Sequence, residues 1–157
     1  MDTSPVIDSE AAAPQARSAA APSAAQTLDL LIVGAGFAGM AMLYRARAMG
    51  RDALALEAAG SGGGTWYHNR YPGARVDIES LEYSFGFCED LQQAWRWTER
   101  YASQIELLRY ANHVADRLDL RRSFALNTRL VGAEFDAGAQ RWQARAAEAG
   151  CGRRASW

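Results

Sequence analysis

The sequence predicts an α/β fold built on a βαβ unit, and three observations support this. Residues 28–33 (LDLLIV) form a short apolar run that stops abruptly at Gly34, as a buried parallel strand does. Residues 37–49 carry apolar side chains at helical spacing and end at Gly50, a residue type that favours the position just after a helix. Residues 53–57 (ALALE) are a second apolar run of strand length. Strand, glycine turn, helix and strand therefore follow one another in the order of a βαβ unit.

The rest of the chain predicts a second helix and a small antiparallel β meander. Ser103 and Glu106 have the spacing of a capping box, so a helix is expected to begin at Ser103. Residues 60–80 are predicted to form a loop, and residues 80–87 are ambiguous between strand and helix. Residues 124–135 and 141–146, on either side of a turn that contains Gly138, are predicted antiparallel strands. The apolar face of the second helix is predicted to comprise Ile105, Leu108, Val114, Ala115 and Leu118. In the first helix, the residues predicted to face solvent are Arg45 and Arg47.

Composition divides the chain into three parts. Residues 1–27 are rich in Ala, Ser and Pro and are predicted to be a disordered tail. Residues 28–145 are predicted to form the nucleotide-binding domain. Residues 146–157 lack the alternation that a further strand needs, so they are predicted to be an atypical tail. Two hypotheses for this tail remain open: a shifted reading frame or foreign sequence, and a genuine divergent C-terminus.

Charge and cysteine content exclude several classes of function. The formal net charge of −1 gives no electrostatic support for nucleic-acid binding. Cys88 and Cys151 belong to no CxxC pair, so no metal site is expected and reduced thiols are the default. No apolar stretch has the length of a membrane span, and the N-terminus does not have the pattern of a secretory signal. A cytoplasmic location is predicted.

The strongest short motif is the glycine pattern Gly34-x-Gly36-x-x-Gly39, between the first predicted strand and helix. In such a motif the first glycine makes the turn, the second lets the backbone approach a pyrophosphate, and the third lets helix and strand pack closely. The helix N-terminus adds free amides and partial positive charge. The predicted dinucleotide contacts therefore include the intervening Phe37 and Ala38.

Glu57 ends the second predicted strand, 18 positions after Gly39. A carboxylate there accepts hydrogen bonds from ribose hydroxyls and repels a 2′-phosphate. The sequence therefore predicts binding of FAD or NAD rather than NADP at this site. The alternative is a glycine-rich helix start followed by an ordinary surface glutamate.

Longer motifs resemble one family. The segment 29–87, and above all the block GGTWYHNRYPGARVDIES at 63–80, is similar to the N-terminal FAD segment of Baeyer–Villiger monooxygenases of the cyclohexanone and phenylacetone types. The similarity continues through WRWTERYASQ, LLRYANHVADRLDL and FDAGAQRW, to about residue 145. The resemblance implies a Rossmann-like FAD-binding domain. It also implies that NADPH reduces the flavin and that O₂ is then used to convert a ketone to an ester or lactone.

The resemblance also assigns roles to individual residues. Gly63 and Gly64 resemble a second glycine pair beside the FAD phosphates, and Thr65 and Trp66 resemble residues along the ribityl chain and flavin ring. Asp77 resembles a catalytic acidic residue beside the flavin, where the nicotinamide also docks. The remaining matches are Tyr83, a further FAD contact; Leu130, whose backbone would meet the adenine; and Arg75 and Glu79, toward the nicotinamide.

For several of these residues the sequence leaves a structural alternative open. Asp77 has the position of a helix N-cap before residues 78–80. Packing within the loop is an alternative to cofactor contact for Trp66, Tyr67 and Tyr71. His68 is expected to be solvated. Trp95 and Trp97 are expected to serve packing, and His113 is expected to be a surface or packing residue.

The chain departs from the family pattern after residue 145. A second GxGxxG motif for NADPH and a downstream arginine that pairs with the residue resembling Asp77 do not occur in it. A strand that returns beside the first strand is also absent, so the fold is predicted to be incomplete, with an open sheet edge. The chain alone is therefore not expected to catalyse NADPH-dependent oxygenation. Two functions follow: the FAD-binding portion of a truncated Baeyer–Villiger-type enzyme, or a non-catalytic dinucleotide-binding module or remnant.

Overall fold

The computed structural model of the protein describes residues 26–148 and 151–156. Within these residues the chain forms two three-stranded sheets and four α-helices. The predicted N-terminal tail lies outside the described residues, except for its last two positions.

The first sheet is parallel and contains the predicted βαβ unit. Its strands are β1 (Leu30–Val33), β2 (Ala53–Leu56) and β3 (Phe124–Ala125), in the order β1-β2-β3. Helix α1 (Phe37–Ala48) connects β1 to β2. It ends in a Schellman motif, because Gly50, at φ 67°, follows the helix and its amide bonds back to the helix. The α/β prediction is confirmed.

Strand β3 corrects the prediction for residues 124–135. The sequence pattern assigns this whole run to the antiparallel meander, but Phe124 and Ala125 instead extend the parallel sheet. Phe124 is buried in the main core, and the Ala125 carbonyl accepts a hydrogen bond from the Glu57 amide at 2.9 Å. The chain then turns at Asn127, whose φ is 54°. Burial of one aromatic side chain thus divides what looks like one strand in the sequence.

The second sheet is antiparallel and consists of β4 (Thr128–Asp136), β5 (Arg141–Glu148) and β6 (Cys151–Ser156). The predicted hairpin of β4 and β5 is confirmed. Its turn is closed by the Asp136 carboxylate, whose pKa is lowered by hydrogen bonds from the backbone amides of Ala139 and Gly138. Strand β6 is not expected from the sequence, which lacks alternation there. Its pairing with β5 uses backbone groups, which need no side-chain pattern.

Three further helices complete the described chain: α2 (Thr65–His68), α3 (Glu89–Ala94) and α4 (Gln104–Arg117). Short 3₁₀ turns occur at Ser80–Tyr83 and Arg121–Ser123. The segment 60–80, predicted as a loop, therefore contains α2, and the ambiguous residues 80–87 begin with a 3₁₀ turn.

Helix α4 begins as predicted, but its first turn is not a reciprocal capping box. The Ser103 hydroxyl accepts the Glu106 amide at 3.5 Å. The Glu106 carboxylate, however, accepts hydrogen bonds from the amide and hydroxyl of Thr98, at 2.7 and 3.1 Å. The predicted apolar face is partly wrong, because Ile105 is 59% exposed. The buried face instead includes Leu107, Tyr110, Ala111, Val114 and Ala115.

Helices α1 and α4 contribute to one core together with the parallel sheet. Tyr110 is fully buried at its centre, and its hydroxyl accepts the Phe85 amide at 2.8 Å. Burial raises the pKa of Tyr110. The rings of Trp95 and Trp97 lie 5.3 and 4.9 Å from that of Tyr110, which confirms that this tryptophan pair serves packing. His113 packs against Trp95 at 5.3 Å, also as expected.

Arg47 is expected to face solvent, but its guanidinium donates to the carbonyls of Leu118 and Asp119 at 2.8 and 2.9 Å, joining α1 to the end of α4. Among the described strands, β1 pairs only with β2, so its other edge has no described partner. Val33, at its end, is 65% exposed.

Candidate functional site

A cleft of about 440 Å³ lies where β1 and β2 end and α1 begins. The carboxyl ends of parallel strands are where open α/β sheets bind ligands. The residues that line it are Val33, Gly34, Gly36, Phe37, Ala38, Gly39, Glu57, Gly63, Gly64, Thr65, Trp66 and Tyr83. Eleven of these twelve are among the cofactor contacts predicted from the sequence, and Val33 is the one lining residue outside that prediction.

The first glycine turn has the geometry that its sequence pattern requires. Gly34 has φ 95°, a conformation that residues with a side chain rarely adopt. A Cβ atom on Gly39 would lie 2.0 Å from the Gly34 carbonyl oxygen. The third glycine is therefore needed for close packing of α1 on β1, as the motif predicts.

The second glycine pair, Gly63 and Gly64, meets the first turn directly. Both residues have positive φ, 121° and 56°. A Cβ on Gly64 would lie 3.0 Å from the Cα of Gly36, and a Cβ on Gly36 would lie 3.4 Å from the Cα of Gly64. Two backbone segments without side chains thus lie in close contact at one wall of the cleft, and together they form a cradle that a phosphate group can approach.

The N-terminus of α1 supplies hydrogen-bond donors to this cradle. Met40 donates the first intrahelical bond, to the Gly36 carbonyl at 2.9 Å. The amides of Phe37, Ala38 and Gly39 precede that bond and have no intrahelical acceptor. The first turn carries no acidic side chain. An anionic group is therefore favoured at this end of the helix.

Glu57 is buried, with 6% of its surface exposed, so it is not an ordinary surface glutamate. One carboxylate oxygen accepts the Ala35 amide at 2.9 Å, and the other accepts the Ala59 amide at 2.8 Å. These bonds fix the carboxylate beside the first glycine turn. Each oxygen keeps a second lone pair with which it can accept a further hydrogen bond.

Three aromatic side chains line the other end of the cleft. Trp66 and Tyr83 meet edge to face with ring centroids 5.8 Å apart, and Phe37 meets Tyr83 in the same way at 5.7 Å. Trp66 is buried in a cluster with Val76, Ala102 and Leu107. Trp66 therefore both packs and lines the cleft. Tyr71 is exposed, and Tyr67 packs against His68 and the Arg70 guanidinium.

Two predicted contacts, Asp77 and Leu130, lie outside the residues that line the cleft. Asp77 is exposed, on the segment just before the 3₁₀ turn at Ser80–Tyr83. The N-cap of that turn is Glu79, so the alternative role of Asp77 as a cap is wrong. Leu130 is half-buried in β4 and pairs with Ala146 in β5.

Arg75, Glu79 and His68 are also outside this lining. Arg75 donates to the Glu99 carboxylate and the Tyr101 carbonyl, at 2.9 and 2.8 Å. Glu79 forms an ion pair with Arg100. His68 is exposed, as expected.

A short ladder, missed by the sequence analysis, holds residues 74–80 against residues 99–104. The Val76 amide donates to the Ala102 carbonyl at 3.1 Å, and the Ser80 amide donates to the Arg100 carbonyl at 2.8 Å. Ser80 is only 2% exposed, and its hydroxyl accepts the Ala102 amide at 2.8 Å. Asp77 lies on the arch between these two attachment points. No spacing rule predicts such contacts, because they join segments more than 20 residues apart.

The described residues offer neither a metal-binding cluster nor a membrane-spanning helix. They contain no group of three or more His, Cys, Asp or Glu side chains arranged to hold a metal ion. None of the helices in this part of the chain combines the length and apolar character that a membrane crossing requires.

Comparison with known proteins agrees with this geometry. Residues 32–100 match the family described as NAD(P)-binding Rossmann-like domain. The chain is 46% identical over 116 residues to acetone monooxygenase (methyl acetate-forming) from Gordonia sp., covering 74% of this chain and 22% of that protein. It is 42% identical over 109 residues to a Baeyer–Villiger monooxygenase from Pseudooceanicola batsensis, covering 69% and 20%. The solved structure of an oxidized steroid monooxygenase bound to NADP superposes with a TM-score of 0.77 at 46% identity, covering 83% and 25%.

The fold and the cleft define a Rossmann-like dinucleotide-binding domain. The similarity to the monooxygenases is more specific: the chain is similar to the N-terminal part of Baeyer–Villiger flavin monooxygenases. It spans about a fifth of the length of the curated relatives that it matches.

Proposed function

We propose that the cleft binds FAD and that the chain provides the FAD-binding part of an NADPH-dependent flavin monooxygenase of the Baeyer–Villiger type. The observation that carries the proposal is the close approach of the Gly36 and Gly64 backbones at the N-terminus of α1, where a Cβ on Gly64 would lie 3.0 Å from the Gly36 Cα. A cradle made of two glycine turns suits a pyrophosphate, because no side chain stands between the backbone amides and the phosphates.

The adenosine half of FAD is proposed to lie along the β1–α1–β2 side of the cleft. The α1 amides would donate to the pyrophosphate, and Glu57 would accept hydrogen bonds from the ribose hydroxyls. The buried Glu57 carboxylate would repel a ribose 2′-phosphate, which favours FAD over NADP here. Leu130 is proposed to meet the adenine through its backbone. The Thr128 amide donates to the Glu57 carbonyl at 2.8 Å, and this bond holds the start of β4, two residues before Leu130, beside Glu57.

The flavin half is proposed to lie toward Thr65, Trp66 and Tyr83. The aromatic rings of Trp66 and Tyr83 offer an apolar surface that keeps water from one side of a flat ring system. When bound, FAD would supply the redox chemistry with electrons from NADPH and activate O₂. The protein side chains would orient the cofactor and shield it.

Asp77 is proposed to act on the side where nicotinamide and flavin meet. It is exposed, and no hydrogen bond joins its carboxylate to another described residue. The ladder fixes the backbone on both sides of it, at Val76 and Ser80. Asp77 is therefore held in place yet available to pair with a cationic group. Its partner is proposed to be the downstream arginine that the family resemblance implies.

The substrate class is proposed from the relatives. Acetone monooxygenase and cyclopentanone 1,2-monooxygenase, the latter 36% identical over 118 residues, are named for ketones. A small ketone and O₂ are therefore the proposed substrates, and an ester or lactone is the proposed product.

Calorimetric titration of the purified chain with FAD, NAD⁺ and NADP⁺ tests the cofactor assignment. FAD is expected to bind with one molecule per chain, and NADP⁺ is expected not to bind because of Glu57. Preferential binding of NADP⁺, or no binding of FAD, would contradict the proposal. Tight binding of NAD⁺ with no binding of FAD would instead support the alternative of a non-catalytic dinucleotide-binding module.

A further inference from the structure

We infer that Gln104 is a positioning residue of the cleft, whose side-chain amide fixes helix α2 and thereby the end of the cleft formed by Thr65 and Trp66. The inference rests on the proposed function in one respect, because it assigns that end of the cleft to the flavin half of FAD.

Helix α2 is too short to define its own orientation. It has four residues, and its N-cap, Gly64, provides no side-chain hydrogen bond. At its end, the Asn69 amide donates to the Thr65 carbonyl at 2.9 Å. A single helical turn is unstable by itself, so contacts with the rest of the fold must hold it.

The carbonyl of Trp66 is where such a contact is needed. A carbonyl in the last turn of a helix has no intrahelical partner, and a buried backbone carbonyl requires a donor. The side-chain nitrogen Nε2 of Gln104 donates to the Trp66 carbonyl in a buried hydrogen bond. The two residues are 38 positions apart, so this bond connects distant parts of the chain.

Gln104 is itself firmly held. It is 8% exposed and is the first residue of α4, a 14-residue helix whose buried face packs in the core. Its backbone amide donates to the Ala74 carbonyl at 2.8 Å, so it also anchors the ladder that carries Asp77. Gln104 therefore links helix α4 to two segments of the preceding loop, α2 and residues 74–76.

Gln104 does not line the cleft. Its side-chain hydrogen bond goes to Trp66, and it forms no hydrogen bond with the glycine turn at Gly34 or with Glu57. Loss of its amide should therefore affect the Trp66 end and spare the adenosine end. This asymmetry separates a positioning role from a general contribution to folding.

The test compares the wild-type chain with Gln104→Met, which keeps the side-chain length and removes the donor. Gln93→Met, on the exposed face of α3, is the matched control. Each protein is titrated with FAD and with ADP, which lacks the flavin half. Gln104→Met is expected to raise the Kd for FAD roughly tenfold, the effect of one lost buried hydrogen bond, and to leave the Kd for ADP unchanged. The control should match wild type with both ligands.

Equal FAD affinity in Gln104→Met and wild type would overturn the inference, and so would a parallel loss of FAD and ADP binding. Hydrogen exchange in the cofactor-free proteins gives a second readout. Faster exchange at residues 65–69 in Gln104→Met, with α1 unchanged, supports the inference; unchanged exchange at 65–69 overturns it. Failure of the wild-type chain to bind FAD would reject the proposed function, and the exchange result would still decide the role of Gln104.

Discussion

The carboxylate of Glu57 accepts the backbone amide of Ala35 at 2.9 Å and so joins the end of β2 to the first glycine turn, 22 residues earlier in the chain. The other carboxylate oxygen accepts the Ala59 amide. Glu57 thus shapes the cleft before any ligand arrives. A residue expected only to bind ribose also has a structural role.

Glu57→Gln should therefore reduce stability as well as binding. The amide group of Gln can accept from only one of the two backbone amides and must point a donor at the other, which should cost about 1–3 kcal/mol of unfolding free energy. Loss of the charge should weaken FAD binding by about 1.5–3 kcal/mol. Urea denaturation without cofactor and FAD titration measure the two effects. Glu134→Gln, at an exposed position on β4, is the control. Unchanged stability in Glu57→Gln would mean that its two hydrogen bonds do not support the turn.

Gly39→Ala and Gly50→Ala should differ sharply in cost. The new Cβ at Gly39 would lie 2.0 Å from the Gly34 carbonyl oxygen, so helix and strand must move apart, at a cost of about 3 kcal/mol or more. At Gly50 the space is open, and only the positive φ opposes alanine, at about 1–2 kcal/mol. Chemical denaturation of both variants measures the difference. Similar stabilities would show that α1 does not pack on β1 as closely as described.

Tyr110→Phe should change the response to alkaline pH. Burial raises the pKa of Tyr110 in the folded chain above its ordinary value of about 10. Wild-type stability from this group is therefore fully present below about pH 10 and is lost as pH rises through the folded-state pKa. The variant loses the hydrogen bond from the Phe85 amide, so it should be less stable at neutral pH by about 1–3 kcal/mol. Its stability should then fall less steeply above pH 10. Parallel stability curves for the two proteins, measured by urea denaturation from pH 8 to 11, would contradict this.

The parts of the fold that the sequence predicted correctly depend on local patterns. Gly34, Gly36 and Gly39 are fixed by one turn and the helix that follows, and Glu57 directly follows the next strand, so spacing alone places them together. The Ser103 cap is equally local. The prediction failed for Glu106 because its carboxylate binds Thr98, outside the helix, where a pattern within the helix gives no information.

The unpredicted features depend on contacts between distant segments. Phe124 enters the core and joins the parallel sheet, although its neighbours alternate like a meander strand. Ser80 lies within residues 63–80, the block that resembles the family, but no motif or spacing indicates its role. Gln104 carries no motif at all. Its importance appears only when α2 and α4 are placed side by side.

The central claim is that the two glycine turns form a cradle for the FAD pyrophosphate, and Gly36→Ala tests it most directly. Gly36 has φ −79°, and the added Cβ would meet the nearest protein atom at 3.4 Å, so the cofactor-free fold should tolerate alanine. The methyl group would nevertheless project from the first glycine turn toward Gly64, beside the proposed path of the phosphates. Gly86→Ala, at an exposed position away from the cleft, is the control.

The measurement is titration of the three proteins with FAD, followed by flavin fluorescence, with unfolding curves to show that each is folded. The account predicts that wild type and Gly86→Ala bind FAD alike, and that Gly36→Ala is folded but binds at least about tenfold more weakly, equivalent to about 1.4 kcal/mol. Equal FAD binding by Gly36→Ala and wild type, or no binding by the folded wild-type chain, would contradict it.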